Sequence, residues 1–192
     1  TYSSSTLLVY FSLPVRTQTD SILLILVLIW SLRLGFFLFR RILEDGSDSR
    51  FTKPKQSFFH FLQYWTGQAM WVSFTCITVY VAMISQEGKT LTVVSLLGIF
   101  IWIIGFSIEV ISDSQKRKFR KEINNKGKFI STGLWSRSRH PNYFGEITLW
   151  TGVSVIAVTS LNGIGYVALV SPLFVYMLLS KGSGIPLLER SA

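Results

Sequence analysis

Gly133-Leu-Trp-Ser-Arg-Ser-Arg-His-Pro-Asn-Tyr-Phe-Gly-Glu-Ile-Thr-Leu-Trp150 is where a strongly basic polar segment gives way to an apolar one. Between Arg137 and Glu146 it gathers Arg137, Arg139, His140, Asn142, Tyr143 and Glu146. Pro141 fixes its own φ and pushes His140 toward an extended conformation. Arg137 to His140 are therefore predicted to form a loop, with a helix starting at Pro141 or Asn142. The first turn of such a helix presents unpaired amides and a partial positive charge to an anion, and the preceding arginines add forked donors suited to phosphate or carboxylate. A plain headgroup anchor beside a membrane helix also uses arginine and tyrosine in this way. It leaves Asn142 and Glu146 unexplained. They lie four apart on one helix face, and Glu146 already enters the apolar layer, where an ionisable group marks function.

The rest of the chain reads as membrane helix. Of its 192 residues, 49% are hydrophobic and 15% aromatic, and the formal net charge is +9. That length allows one domain, residues 1–192, and that composition points to an all-α polytopic membrane bundle. The basic residues are separated by long apolar spans, which argues against nucleic acid and for a membrane surface and an anionic cofactor as partners. The single cysteine, Cys76, lies in an apolar run, so neither a disulfide framework nor a cysteine metal site is proposed.

Five spans are expected, at Ser21 to Phe39, Phe61 to Ser85, Thr90 to Ser112, Asn142 to Ser160 and Ile164 to Ser180. The first is long enough for about 28 Å of helix and holds one charge, Arg33. An earlier run, Leu7 to Leu13, is too short to cross a bilayer and reads either as an interfacial segment or as the end of a longer helix. Arg40 to Ser57 reads as a polar linker with a turn at Gly46, Gln86 to Lys89 as a short hairpin, and Glu122 to Ser138 as a basic loop. Hydroxyl and small residues on the second span, Thr75, Thr78 and Tyr80 among them, suit helix-to-helix contacts. With five spans, 16 of the 19 lysines and arginines fall on one side and only Arg16 and Lys89 on the other, Arg33 being inside a span. That asymmetry places the basic side in the cytosol or its equivalent.

A charge ladder closes the third span. Glu109, Asp113 and Arg117 are spaced by four and Arg120 follows Asp113 by seven, so all four project from nearly one face. A solvated ladder is the plain reading; an acid orienting basic groups toward a dinucleotide is the functional one. No glycine-rich fingerprint follows a predicted strand, so any nucleotide sits among helices.

The stretch from Gly133 to Glu146, with Trp30-Ser-Leu-Arg-Leu-Gly, the segment Asp113 to Arg120 and Ser183-Gly-Ile-Pro-Leu-Leu-Glu, resembles the steroid 5-alpha-reductase-like membrane proteins, in the branch called DUF1295. The superfamily also takes in sterol C14 reductases and isoprenylcysteine methyltransferases, with which the Arg-His-Pro motif is shared. The resemblance implies an NADPH-dependent reductase that saturates a carbon–carbon double bond conjugated to a ketone in a sterol-like or other lipid substrate. It assigns Arg33, Asp113, Arg120, Asn142 and Glu146 to the cofactor, and puts Arg139, His140 and Tyr143 near the pyrophosphate or nicotinamide. Lys116, Arg117 and Lys118 stand where charge alone suits the 2′-phosphate.

The resemblance also marks a departure. A tryptophan, Trp30, stands where the steroid reductases carry the tyrosine that polarises the ketone, so no catalytic donor is assigned. The chain further reads as a fragment lacking N-terminal helices and a C-terminal tail of the family. Two other functions stay open: an S-adenosylmethionine-dependent membrane methyltransferase, and a catalytically silent subunit of a larger membrane complex. The resemblance implies the endoplasmic reticulum membrane, and a mitochondrial membrane fits the residues equally.

Overall fold

The computed structural model describes residues 1–45, 57–85 and 90–182. The turn expected at Gly46, the Gln86 to Lys89 hairpin and the Ser183 to Glu189 motif lie outside the described residues. Among the described residues every regular element is helical: α1 (Tyr2–Ser12), α2 (Gln18–Asp45), α3 (Phe58–Ile84), α4 (Val93–Lys121), α5 (Pro141–Ala157) and α6 (Ser171–Met177). Short 3-10 turns stand between α4 and α5, and a longer 3-10 stretch, Gly163–Val170, leads into α6. Four stretches are long and apolar enough to cross a membrane: Gln18–Glu44, Phe58–Ile84, Val93–Lys121 and Gly163–Lys181. The chain is an integral membrane protein with a polytopic helical bundle.

The fourth expected span, Asn142 to Ser160, is α5 with the short 3-10 turn that follows it. At 17 residues α5 is shorter than the other spans, and it is the one most enclosed by the bundle, with Leu149, Trp150, Val153, Ile156 and Ala157 all buried. The linker read from Arg40 is instead helix as far as Asp45, because Arg40 to Glu44 is a run of good helix formers continuous with the span. The short N-terminal run forms α1, which lies antiparallel to α2 and is tied by side chains at several depths. Ser3 Oγ meets Ser31 Oγ at 2.7 Å, Tyr10 Oη meets Ser21 Oγ at 2.9 Å, and Ser5 Oγ meets Tyr80 Oη of α3 at 2.6 Å. Hydroxyl pairs of this kind hold membrane helices together where burial against lipid offers little driving force.

The tightest seam joins α4 and α5. Gly98 and Gly105 on α4, seven apart, face Gly152 and Gly145 on α5, also seven apart. A Cβ on Gly152 would stand 2.6 Å from the Trp102 amide nitrogen, and one on Gly145 would stand 2.7 Å from that of Glu109. Two helices run antiparallel here, backbone against backbone. A glycine every seven residues is two helical turns, so the contact returns to the same face each time.

The last span is not a continuous α-helix. Gly163, at φ 48°, turns the chain after Asn162, and Pro172 lacks the N–H that would close an α-turn onto Ala168. The Ala168 carbonyl instead accepts from the Ser171 amide and from the Thr78 hydroxyl of α3, while the Ser171 hydroxyl donates to the Thr75 carbonyl. Hydroxyls on α3 thus serve contacts between helices, as their residue types suggested, and one of them, that of Thr78, compensates for a proline.

Candidate functional site

Helix α5 begins at Pro141, as its sequence requires, with His140 at φ −140° immediately before it. The segment that delivers it is docked on α4. Trp135 is buried, its indole N–H donates to the Ser112 carbonyl at 2.9 Å, and its ring lies 4.7 Å beneath the Lys116 ammonium. The Leu134 amide donates to Gln115 Oε1 at 3.0 Å. Gly133, at φ 62°, makes the turn, and the Gln115 side chain fills the space a Cβ would need. The basic loop is thereby fixed at one level of α4, and the first two turns of α5 come to rest beside Glu109 and Asp113.

At that level the side chains of three helices converge. Arg33, on α2, spans both acids of α4: Nη1 stands 2.5 Å from Glu109 Oε1 and Nη2 stands 2.5 Å from Asp113 Oδ2. Its ring neighbour is Phe37, 5.3 Å below the guanidinium. Glu109 is 4% exposed. The Asn142 carboxamide lies against the Asp113 carboxylate, and Glu146 stands within electrostatic reach of Arg33, Asp113 and Glu109. Three carboxylates therefore surround one guanidinium that is already committed to two of them. Buried ion pairs of this geometry repay their desolvation only when the remaining polar atoms are also satisfied. Here Glu109 Oε2 and Asn142 Oδ1 are buried without a hydrogen-bond partner. Both are acceptors. The Trp30 indole N–H, buried and likewise without a close partner, faces Glu109, so Asn142 Oδ1 is the acceptor that calls for a donating group from outside the chain, such as a hydroxyl, a carboxamide NH2 or a cation.

Arg33, Asp113, Asn142 and Glu146 are brought together, from stretches more than a hundred residues apart. Glu109 belongs to the same cluster; the spacing placed it on the ladder's face, and only the α4/α5 glycine seam reveals how near it lies to Glu146. His140 and Tyr143 form a parallel stack, centroids 5.3 Å apart, at the entrance to α5. Arg117, Arg120 and Arg139 are not part of the cluster. Asp113 pairs with Arg33 rather than with Arg117, whose charge acts on Glu44; Arg120 and Arg139 are exposed on the rim. Lys121 meets Glu44 at 3.1 Å, an exposed pair that joins the ends of α2 and α4. The site is thus two-tiered, an acidic, acceptor-rich interior below a belt of lysine and arginine.

The family model described as a protein of unknown function, DUF1295, matches residues 3–192. The chain belongs to the DUF1295 family. That is the branch of the steroid 5-alpha-reductase-like proteins which its motifs resemble. No curated protein and no solved structure matches it. The DUF1295 match spans every element that builds the cluster, from α1 and α2, through the α4 acids, to α5.

A surface depression of about 490 Å³ lies at the other end of the bundle, between the start of α2 and Leu91, and is lined by Tyr10, Arg16, Thr17, Gln18, Ser21 and Ile22. It is remote from the cluster. Arg16 there is occupied in closing α1, donating to the carbonyls of Tyr10 at 3.1 Å and Phe11 at 2.9 Å. Among the described residues that end carries no counterpart of the acid cluster.

Proposed function

We infer that this chain is an NADPH-dependent membrane reductase that saturates a conjugated carbon–carbon double bond in a sterol-like or other lipid substrate, and that it works in the endoplasmic reticulum membrane. The observation that carries this reading is the buried, unpartnered acceptor Asn142 Oδ1, set against the Glu109–Asp113–Arg33 cluster beneath a basic belt. NADPH offers donors at its nicotinamide carboxamide and ribose hydroxyls and anions at its central pyrophosphate and at the 2′-phosphate of its adenosine ribose. Its ribose hydroxyls and nicotinamide carboxamide match the acceptors of Glu109, Asp113, Asn142 and Glu146, and its phosphates match Lys116, Arg117, Arg120 and Arg139 on the rim. Bound there, NADPH supplies a hydride.

The chain's own residues bind, orient and exclude water. Arg33 fixes the carboxylates of Glu109 and Asp113, so these acceptors present one arrangement to the ligand. The α4/α5 seam leaves neither helix free to slide and sets the spacing between Asp113 and Asn142. Trp30 and Trp150, edge to face at 5.1 Å and both buried, close the floor against water from the membrane side. Preorganisation of this kind lowers the cost of holding a hydride donor against a lipid double bond.

A second reading is favoured by a different feature of the same cluster. Three carboxyl groups around one arginine offer oxygen partners to a cation, which also suits the sulfonium of S-adenosylmethionine and hence a methyltransferase. Binding to the detergent-purified protein separates the two. NADPH is expected to bind, to be weakened at least tenfold by Asn142→Ala, and to resist competition by S-adenosylmethionine. Binding of adenosylmethionine without NADPH replaces the reductase by the methyltransferase, and binding of neither favours a silent subunit of a larger complex.

A further inference from the structure

Trp30 and Arg33 stand three apart on α2, so they project from one face of the helix on successive turns. Arg33 engages Glu109 twice: Nη1 meets Oε1 at 2.5 Å, and Nη2 lies 3.4 Å from the Glu109 carbonyl oxygen. One turn earlier, the Trp30 indole N–H is turned to the same side chain. Glu109 Oε2 is buried without a hydrogen-bond partner, and so is Trp30 Nε1. The oxygen accepts and the indole only donates, so each atom is what the other lacks.

The Trp30 ring is held in place. It is 1% exposed, with the Tyr2 ring of α1 edge-on at 5.0 Å and the Trp150 ring of α5 edge-on at 5.1 Å. Ser3–Ser31 and Ser5–Tyr80 pin α1 to α2 and α3, so Tyr2 is a fixed wall for the indole. The backbone of Glu109 is held as well, because a Cβ on Gly145 of α5 would stand 2.7 Å from its amide nitrogen. What stays soft is the carboxyl group, since the last torsion of a glutamate is broad. Arg33 grips one oxygen and leaves the carboxyl plane free to turn about that contact.

In the apolar layer an orphan carboxylate oxygen and an orphan N–H each carry a desolvation cost with nothing to offset it. A small twist of the carboxyl plane satisfies both and leaves Oε1 on Arg33. Trp102 and Trp150 also bury an unpartnered N–H, but their rings are set against Phe106 and Trp30.

We propose that Trp30 is a positioning residue: its indole N–H donates to Glu109 Oε2 and, with Arg33 on Oε1, fixes the plane in which this carboxylate meets the cofactor. The hydrogen bond rests on the packing of α1, α2, α4 and α5; its effect on a ligand rests on the reductase reading. Trp30 then acts through Glu109 and touches no reacting atom. A donor to an ionised acceptor in a water-excluded place is stronger than a neutral pair, so a single indole suffices to orient the acid.

The hydrogen bond is read directly from the indole N–H signals of the nitrogen-15-labelled protein in detergent micelles, without cofactor. Six tryptophans give six signals, and that of Trp30 is the one lost in Trp30→Phe. If that variant does not fold, the signal is assigned by replacing the other five tryptophans in turn. The Trp30 proton is expected downfield of the others and slow to exchange with solvent, and Glu109→Gln, which keeps the tryptophan, is expected to move it upfield. A Trp30 signal that Glu109→Gln leaves in place overturns the proposal. NADPH binding is measured on the same proteins. Trp30→Phe is expected to weaken it about tenfold, and to weaken it no further once Glu109 is glutamine. Trp30→His has a smaller ring than Trp30→Phe but carries an N–H, and is expected to recover part of the loss; packing alone would make it the worse of the two, and that order overturns the positioning role. A parent that binds no NADPH yet shows the shift of the Trp30 signal counts against the reductase reading and leaves the hydrogen bond standing.

Discussion

Gly105 of α4 and Gly145 of α5 meet backbone to backbone: a Cβ on Gly105 would stand 2.7 Å from the Gly145 carbonyl oxygen and 2.4 Å from the Leu149 amide nitrogen. Neither obstacle is the flexible end of a side chain, so room is made only by separating the helices. Separation at this level moves Glu109 and Asp113 away from Asn142 and Glu146, and so couples stability to the site. Gly105→Ala is expected to cost on the order of 1–3 kcal/mol, seen as a lower melting temperature in detergent. Gly35→Ala, on α2 with nothing within 4 Å of its added Cβ, is the control and is expected to be neutral or slightly stabilising. Similar melting for both variants would sink the seam as a constraint.

Arg33 carries the acid cluster. Arg33→Met keeps the length of the side chain and removes the partner of Glu109 and Asp113 together. Breaking a buried pair by removing one member costs roughly 3–5 kcal/mol, because the other charge is left uncompensated. Arg33→Met combined with Glu109→Gln and Asp113→Asn relieves that charge and is expected to recover much of the loss. The melting temperatures of these two proteins and of the double carboxamide variant form the cycle. Simple addition of the separate effects would mean that the three side chains do not act as one unit.

The two tiers of the site predict two kinds of variant. Arg120 is exposed on the rim and makes its contribution through long-range charge, so Arg120→Ala is expected to lower the association rate for NADPH and the steepness of its salt dependence, with dissociation little changed. Asn142 stands in the interior with a buried acceptor, so Asn142→Ala is expected to speed dissociation about tenfold and leave the salt dependence as it was. Stopped-flow binding at two ionic strengths distinguishes them. The same signature from both variants would remove the division into rim and interior.

Much of this arrangement was legible before any coordinates. Pro141 announced the start of α5, the apolar spans announced a polytopic bundle, and the spacing of Glu109, Asp113 and Arg117 put them on one face. What spacing could not supply was the partner. Asp113 has Arg117 one turn away on its own helix, yet pairs with Arg33, eighty residues earlier, because the guanidinium of α2 enters between the two acids while the charge of Arg117 acts on Glu44. The heptad glycines at 98, 105, 145 and 152 stand in the sequence but were not read as a seam; their equal spacing on two spans is a signal for touching backbones that the spacing of charges did not supply. The place of Tyr2 was not legible. Nothing in its sequence surroundings signals a contact with Trp30, and only the pairing of Ser3 with Ser31 and Ser5 with Tyr80 brings it there.

The proline in the last span gives a prediction independent of any ligand. Pro172 supplies no N–H to Ala168, and the Thr78 hydroxyl donates to that carbonyl from α3. Thr78→Val keeps the shape of the side chain and removes the donor, leaving the carbonyl with only the Ser171 amide. In the apolar layer this is expected to cost about 1 kcal/mol. Pro172→Ala restores an N–H that can close an ordinary α-turn onto the same carbonyl, so the Thr78→Val penalty is expected to shrink in that background. Melting of the two single variants and the double one in the same detergent measures the coupling. If Thr78→Val costs as much with alanine at position 172 as with proline, the hydroxyl is not standing in for the missing amide, and the contact of α3 with Gly163–Val170 is packing alone.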